Sequence, residues 1–298
     1  MKLYKFISSV ILIAASISID TFAQEQPLFT NYVNNPLEIN PAIPGTETGL
    51  NMNLLTRHQW IGLDGGPASY NFAAHTPYPG QNFGLGLNIM TEKIGPVNNT
   101  NFAASYAYQI KIFDNINLSM GLQAGLNIYN AAISNLDLIE SNDVNFQEDI
   151  KRTTPNFGFG GYLYTDKYYA GISAPRLIHV RLNDEYRESS EAYNPGVFLM
   201  GGYNFSINPE WVFLPSSLVL LRGGSPIIAD ITTQFLFQKS YYMGIHYRIG
   251  DAIGAFFNIQ ITEELKAGYA YDFTLNKLAR ANSGTHEFII SYNLQNLW

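Results

Sequence analysis

The chain has 298 residues, a net charge of −7 and no cysteine. That composition excludes disulfides, thiolate metal sites and cysteine nucleophiles, and an acidic chain without a basic stripe is unsuited to general nucleic-acid binding. Charged residues make up only 14%, and aromatics also reach 14% with 20 Tyr and 19 Phe, a balance that suits a protein facing lipid on one side and water on the other.

The N-terminus reads as an export signal. Lys2 and Lys5 give a positive start, Phe6 to Ile19 is an apolar run broken only by serines, and Thr21-Phe22-Ala23 offers small residues at cleavage spacing. Residues 1–23 are therefore assigned to a signal peptide, with Gln24 as the first mature residue. No cysteine follows that site, which excludes a lipoprotein. Residues 24–48 form a separate segment, read as periplasmic or lumenal. Its centre, "NNPLEINPAIPG" (34–45), holds Pro36, Pro41 and Pro44. Each lacks a backbone N–H and restricts the residue before it, so the stretch is neither a helix interior nor a central strand. Asn and Pro there favour successive turns.

From residue 49 to 298 the dominant hydrophobic period is two. In "FAASYAYQIKI" (102–112), Phe102, Ala104, Tyr106, Tyr108, Ile110 and Ile112 share one face, opposite Ala103, Ser105, Ala107, Gln109 and Lys111. "NFGLGLNIM", "YYMGIHYRI" and "LKAGYAYDF" alternate in the same way. About fourteen strands are expected, near 49–57, 68–76, 82–91, 100–111, 116–130, 155–164, 168–175, 194–205, 212–221, 228–237, 240–249, 252–261, 265–273 and 285–295. Most match the roughly nine to eleven residues of a membrane-spanning strand rather than the five or six of a sandwich strand.

Connections alternate too. "TPYPGQ", "IFDN", "TDK", "SINPEW", "QKS" and "TEE" are tight. "RHQWIGLDGGP", "TEKIGPVNN", 131–154, 176–193 and "TLNKLARANSG" are longer, with "RGGSPI" and "RIGDAIG" as short exceptions. Short turns at one end and long loops at the other mark an antiparallel transmembrane β-barrel, all-β and closed because lipid tolerates no open edge. Phe288, Ile290, Tyr292, Leu294 and the terminal Trp298 give an aromatic-ended last strand.

Catalytic and metal signatures are weak. His58, His75, His179, His246 and His286 form no HExxH pair, and there is no GxSxG. His75 and His246 fall on expected lumen faces, where a hydrated lining is favoured over an acid–base dyad. The GxG pairs in "NFGLGLN" and "NFGFGG" sit in strands with no following helix, so inward glycines narrowing the lumen lining replace a phosphate loop. Asp137, Glu140, Asp143, Glu148 and Asp149 lie in the longest loop without EF-hand spacing. Arg57, Lys111, Arg248 and Lys266 on the lumen face either line an anion pathway or pair with Asp230, Asp272 and Glu287. No catalytic residue, cofactor or metal is expected.

Several stretches together resemble the PorP/SprF family of type IX secretion and gliding-motility proteins of Bacteroidetes. They are "FTNYVNNPLEINPAIPGT" (29–46), "RHQWIGLDGGPASYNFAAHTP" (57–77), "NFGLGLNIMTEKIGP" (82–96), "PNFGFGGYLYTDKYYAGISAPRL" (155–177), "GDAIGAFFNIQITEELKAGYAYDFTL" (250–275) and "SGTHEFIISYN" (283–293). The resemblance implies a non-enzymatic outer-membrane barrel that supports secretion, or the export or surface attachment of a large adhesin. Its partners would be the lipid bilayer, other secretion proteins or that adhesin; a porin-like channel for small solutes is the alternative. Phe29, Tyr32, Asn35, Pro36, Leu37, Asn40, Pro41 and Pro44, with Trp60, are the candidate plug or partner-contact residues. Phe29, Tyr32, Leu37 and Ile39 need somewhere to bury.

Overall fold

The structure, a computed structural model, describes residues 28–132, 134, 149–178, 180–181, 191–193 and 195–295. The export signal, Gln24, Asp137, Glu140, Asp143, Glu148, His179 and Trp298 lie outside the described residues.

The chain forms a closed antiparallel barrel of 14 strands. They are β1 (Leu50–His58), β2 (Ala68–Pro77), β3 (Phe83–Ile94), β4 (Val97–Phe113), β5 (Ile116–Ala131), β6 (Ile150–Tyr164), β7 (Tyr168–Ala174), β8 (Gly196–Tyr203), β9 (Trp211–Arg222), β10 (Ile228–Phe237), β11 (Tyr241–Arg248), β12 (Ala252–Gln260), β13 (Leu265–Thr274) and β14 (Thr285–Leu294). Each strand pairs with the next in sequence, and β14 pairs back on β1 from Leu50↔Leu294 to His58↔His286. Closure leaves no strand edge unpaired in lipid.

The period-two pattern sorts side chains by face. Phe102, Tyr106 and Tyr108 are exposed on the outside of β4, while Asn101, Ala103, Ser105 and Ala107 are buried within. Leu122 is 66% exposed, and its neighbours Gly121 and Gln123 are buried. Apolar-out, polar-in alternation is the reverse of a soluble core and suits a lipid-facing wall. At the short-turn end, aromatic rings form a continuous outer row from β7 to β12. Tyr168, Tyr203, Phe205, Phe213, Phe235, Trp211, Phe237, Tyr241 and Phe257 follow one another at centroid spacings of 4.2–6.4 Å. Amphipathic rings gather at a membrane interface in this way.

The wall is uneven in height. β4 has 17 residues, β5 16 and β6 15, against 7 for β7. At about 3.3 Å per residue, β4 is roughly 55 Å long. The expected loop "TEKIGPVNN" is therefore a correction: β3 and β4 continue through it and turn across Gly95-Pro96, with Gly95 at φ 52°. The cross-strand Thr91–Thr100 hydroxyl contact at 3.1 Å closes the base of that expected loop. Likewise β6 begins at Ile150 rather than near 155, and β8 is shorter than expected. Lys111 is a second correction. It keeps the inward register of Ala107 and Gln109 but is exposed rather than enclosed, because β4 runs past the start of β3 at that rim. Short added pairings join 180–181 to 191–193 and 205–206 to β9. In the β5–β6 connection, Ser134 donates its amide and hydroxyl to Asp149 at 3.1 and 2.8 Å, holding that exposed carboxyl below its ordinary value.

Candidate functional site

Residues 28–46 lie inside the barrel. From Leu28 to Pro44 none is exposed. The backbone turns repeatedly: Asn34 N donates to Asn31 O, Ile39 N to Pro36 O, Ile43 N to Asn40 O and Thr46 N to Ile43 O, at 2.9–3.3 Å. Pro36 opens the second of two 3-10 turns, where its fixed φ fits and no N–H is required. Asn40 accepts from Ala42 N at 2.9 Å through its own side chain, so turn chemistry replaces the ladder that the prolines forbid.

One side of this segment is held by charge. Arg57 on β1 bridges Asp272 on β13 at 2.8 Å and Glu287 on β14 at 3.1 Å. Both carboxylates also receive the segment. Thr30 N and Asn31 N donate to Glu287 at 2.9 and 2.7 Å, and the Thr30 hydroxyl donates to Asp272 at 2.8 Å. His246 stands between Asp272 and Asp230 at 2.8 and 3.0 Å, and Arg248 reaches Asp230 at 3.1 Å. These side chains come from β1, β10, β11, β13 and β14 and are buried. Pairing, not an open anion pathway, is thus the arrangement adopted by Arg57 and Arg248.

A second polar anchor lies beside the first, on β2 and β3. Glu38 accepts from Asn71 at 3.2 Å and from Asn88, and Arg176 approaches it at 3.6 Å. Asn35 donates to Asn71 at 2.6 Å. Further ties reach the wall in other directions: Asn258 to Asn31 at 3.1 Å, Lys266 to Asn34 at 2.6 Å, Ser173 to the Ile39 carbonyl at 2.7 Å and Gln109 to the Pro44 carbonyl at 2.7 Å.

The apolar residues of the segment have matching seats. Leu28, Tyr32 and Ile39 pack with Phe198, Met200, Leu218 and Leu220 on the inner face of β8 and β9. Phe29 packs with Leu55, Met90 and Ile289, and Leu37 and Ile43 with Ala73. The Tyr32 hydroxyl meets Ser216 at 3.0 Å. Inward glycines admit the chain. A Cβ on Gly121 would stand 2.1 Å from the Pro41 carbonyl, and one on Gly84 2.3 Å from Gly45 N. One on Gly160 would meet the Asn40 carboxamide at 2.0 Å. The GxG glycines thus make room for a second layer of backbone rather than narrowing the lumen, a role that strand-borne glycine serves wherever another backbone approaches.

The structure therefore brings together Phe29, Tyr32, Asn35, Pro36, Leu37, Asn40, Pro41 and Pro44. Trp60 is placed elsewhere, in the β1–β2 connection at the long-loop end, with φ 54° and its amide donating to Thr285 at 3.3 Å. Sequence spacing linked no carboxylate to His246, yet the pairing of β10 to β13 in succession supplies two, Asp230 and Asp272. Its Nε2 lies 3.4 Å from the Thr30 hydroxyl, but that hydroxyl donates to Asp272, an arrangement that ties the segment to the wall. His75 stands on β2 at the register of Asn51, six residues along β1 from Arg57. Among the described residues no cluster of His, Asp and Glu is arranged to hold a metal ion. The inner apolar patch on β8 and β9 was missed, although unbroken apolar runs in "VFLM" and "LVLL" signal strands covered on both faces.

Alternating faces, full closure and short turns opposite long loops define an outer-membrane β-barrel. The family described as "Type IX secretion system membrane protein PorP/SprF" matches residues 21–292, and the chain belongs to it. No curated protein matches the chain. Among solved structures the chain is similar to the KdgM porin (10% identity, 82% of this chain and 99% of that one, TM-score 0.39). It is also similar to the CymD monoaromatic hydrocarbon channel (10%, 88% and 93%, 0.48). A Pseudomonas aeruginosa FadL homologue gives 12% identity over 85% of this chain and 92% of that one, with a TM-score of 0.46.

Proposed function

We propose that residues 28–46 are a resident plug and that the protein is a non-enzymatic, partner-binding barrel of type IX secretion. In this reading the protein is exported by a signal peptide at 1–23, and it supports the secretion or surface attachment of a large adhesin or other cargo. Wide barrels leave an aqueous channel unless something fills it. The observation that carries the reading is the occupation of the lumen by a segment whose charged, carboxamide and apolar groups each have a dedicated seat on the wall. A passage for solutes needs no such seats.

Two measurements test the reading. Purified protein in planar bilayers should be electrically silent, and deletion of 28–46 should produce stable conduction. A steadily open wild-type pore would support the porin alternative, which the polar inner face favours. Separately, deletion of the gene should remove a specific protein from the cell surface; unchanged surface proteomics and motility would refute the secretion role.

A further inference from the structure

Below the plug, at the short-turn end, the lumen is not filled. A cavity of about 270 Å³ lies between the underside of the segment (Val33, Asn34, Pro36), the inner faces of β1, β2, β13 and β14, and the β12–β13 turn. It is a little smaller than the pockets that take whole small molecules. Its scale suits one or two side chains presented by a larger partner.

The interior is built for hydrogen bonding. Asn51 and Asn53 are buried, and His75 is 3% exposed. His75 Nδ1, Ser291 Oγ and Asn293 Oδ1 have no partner within the protein. Unpaired buried polar atoms are costly, so three lining one cavity mark a place where a guest's polar groups are accommodated.

The mouth adds a sign. Glu47, Glu263 and Glu264 line the same cavity and are exposed. The cation among the lining residues is Lys266, whose ammonium is committed to Asn34 at 2.6 Å and lies 5.2 Å from the centre of the Tyr242 ring. Three carboxylates thus face outward over a carboxamide interior, a field that draws in positive charge and disfavours anions.

We propose that this vestibule is a docking pocket for a lysine- or arginine-bearing segment of a partner protein in the compartment the short turns face. In outer-membrane barrels that compartment is the periplasm. The partner's cation sits on Glu47, Glu263 and Glu264, and its main chain bonds to His75, Ser291 and Asn293. The proposal rests on the reading of the barrel as a partner-binding component and gives that reading a site and a chemistry.

Full-length protein in detergent would be titrated against a dye-labelled Ser-Lys-Ser-Lys-Ser peptide, with Glu-for-Lys and all-serine peptides as controls and fluorescence anisotropy as readout. The lysine peptide should bind saturably, while the controls should not. The exposed triple variant Glu47→Gln/Glu263→Gln/Glu264→Gln should lose affinity on the order of tenfold, as should wild type at high salt. Filling the interior with His75→Phe should abolish binding while circular dichroism still reports the barrel. Equal binding of the lysine peptide by wild type and the triple variant would overturn the proposal, as would absence of saturable binding. Displacement by spermidine at the peptide's own half-saturation would also overturn it, in favour of a small-cation site. Bilayer conductance and surface proteomics report on the plug and the secretion role, so the failure of either is distinguishable from failure of this pocket.

Discussion

The two sides of the lumen hold the same segment by different physics. On the β13, β14 and β1 side, Thr30 and Asn31 meet carboxylates that an arginine has already paired. On the β8 and β9 side, Leu28, Tyr32 and Ile39 press on four apolar side chains. Burying apolar surface is non-directional and contributes about 25 cal/mol per Å². Buried ion pairs roughly break even against apolar replacements, but they are unforgiving about geometry. The β8 and β9 side supplies attraction, whereas the β13, β14 and β1 side adds to the apolar seat of Phe29 a set of charges that fixes which residues sit where.

The largest effect expected is for Arg57→Ala, which leaves Asp272 and Glu287 facing one another without their guanidinium. Breaking a buried pair costs about 3–5 kcal/mol; the thermal midpoint in detergent should fall and conduction should appear. A sharper version replaces the whole set, as Arg57→Met/Asp272→Leu/Glu287→Leu. Stability should then return close to wild type while conduction persists, because attraction is retained and position is not. A triple variant that is both stable and silent would show that charge does not position the segment.

Leu220→Ala tests the other side. It removes a fully buried side chain and should cost about 3 kcal/mol by transfer and cavity together. The segment's polar anchors remain, so bilayers should stay silent even as the denaturation midpoint drops. Ser216→Ala is milder. It takes one hydrogen bond from the Tyr32 hydroxyl and should cost about 1 kcal/mol in the same assay.

The smallest effect lies outside the lumen and serves as a control. The Asp149 carboxyl is depressed below its ordinary 3.8 by the Ser134 hydrogen bonds. A depressed carboxyl stabilises above its unfolded value, and that contribution is lost as pH falls through the folded value. Ser134 amide exchange should therefore be slowed at neutral pH and lose protection only below about pH 4. Conduction should not change across that window.

Much of the wall was legible in the sequence, because each strand announces its own alternation. Phe102 to Ile112 and Tyr241 to Ile249 reveal their two faces from neighbours alone. Errors came where local rules compete. The Gly95-Pro96 pair reads as the centre of a long loop, but Thr91 and Thr100 continue the ladder on either side of it. The lumen was harder. Glu287 and Thr30 are 257 positions apart, and only closure of β14 on β1 brings them together. The rigid Pro/Asn segment was visible as an oddity with apolar residues to bury. Its seats were not, because glycines at 84, 121 and 160 report open space only once the opposite backbone is known.

The long separation between Thr30 and Glu287 also bears on how the molecule is made. The segment precedes every strand of the wall, yet two of its anchors lie on β13 and β14, the last two strands of the barrel. Such contacts are entropically remote until the chain is nearly complete. The segment can therefore settle fully only when the final seam is closing, and its arrival marks the end of assembly. A barrel truncated before β13 would retain the apolar seat and lack the charged one. Correct seating is then a built-in record that every strand is present.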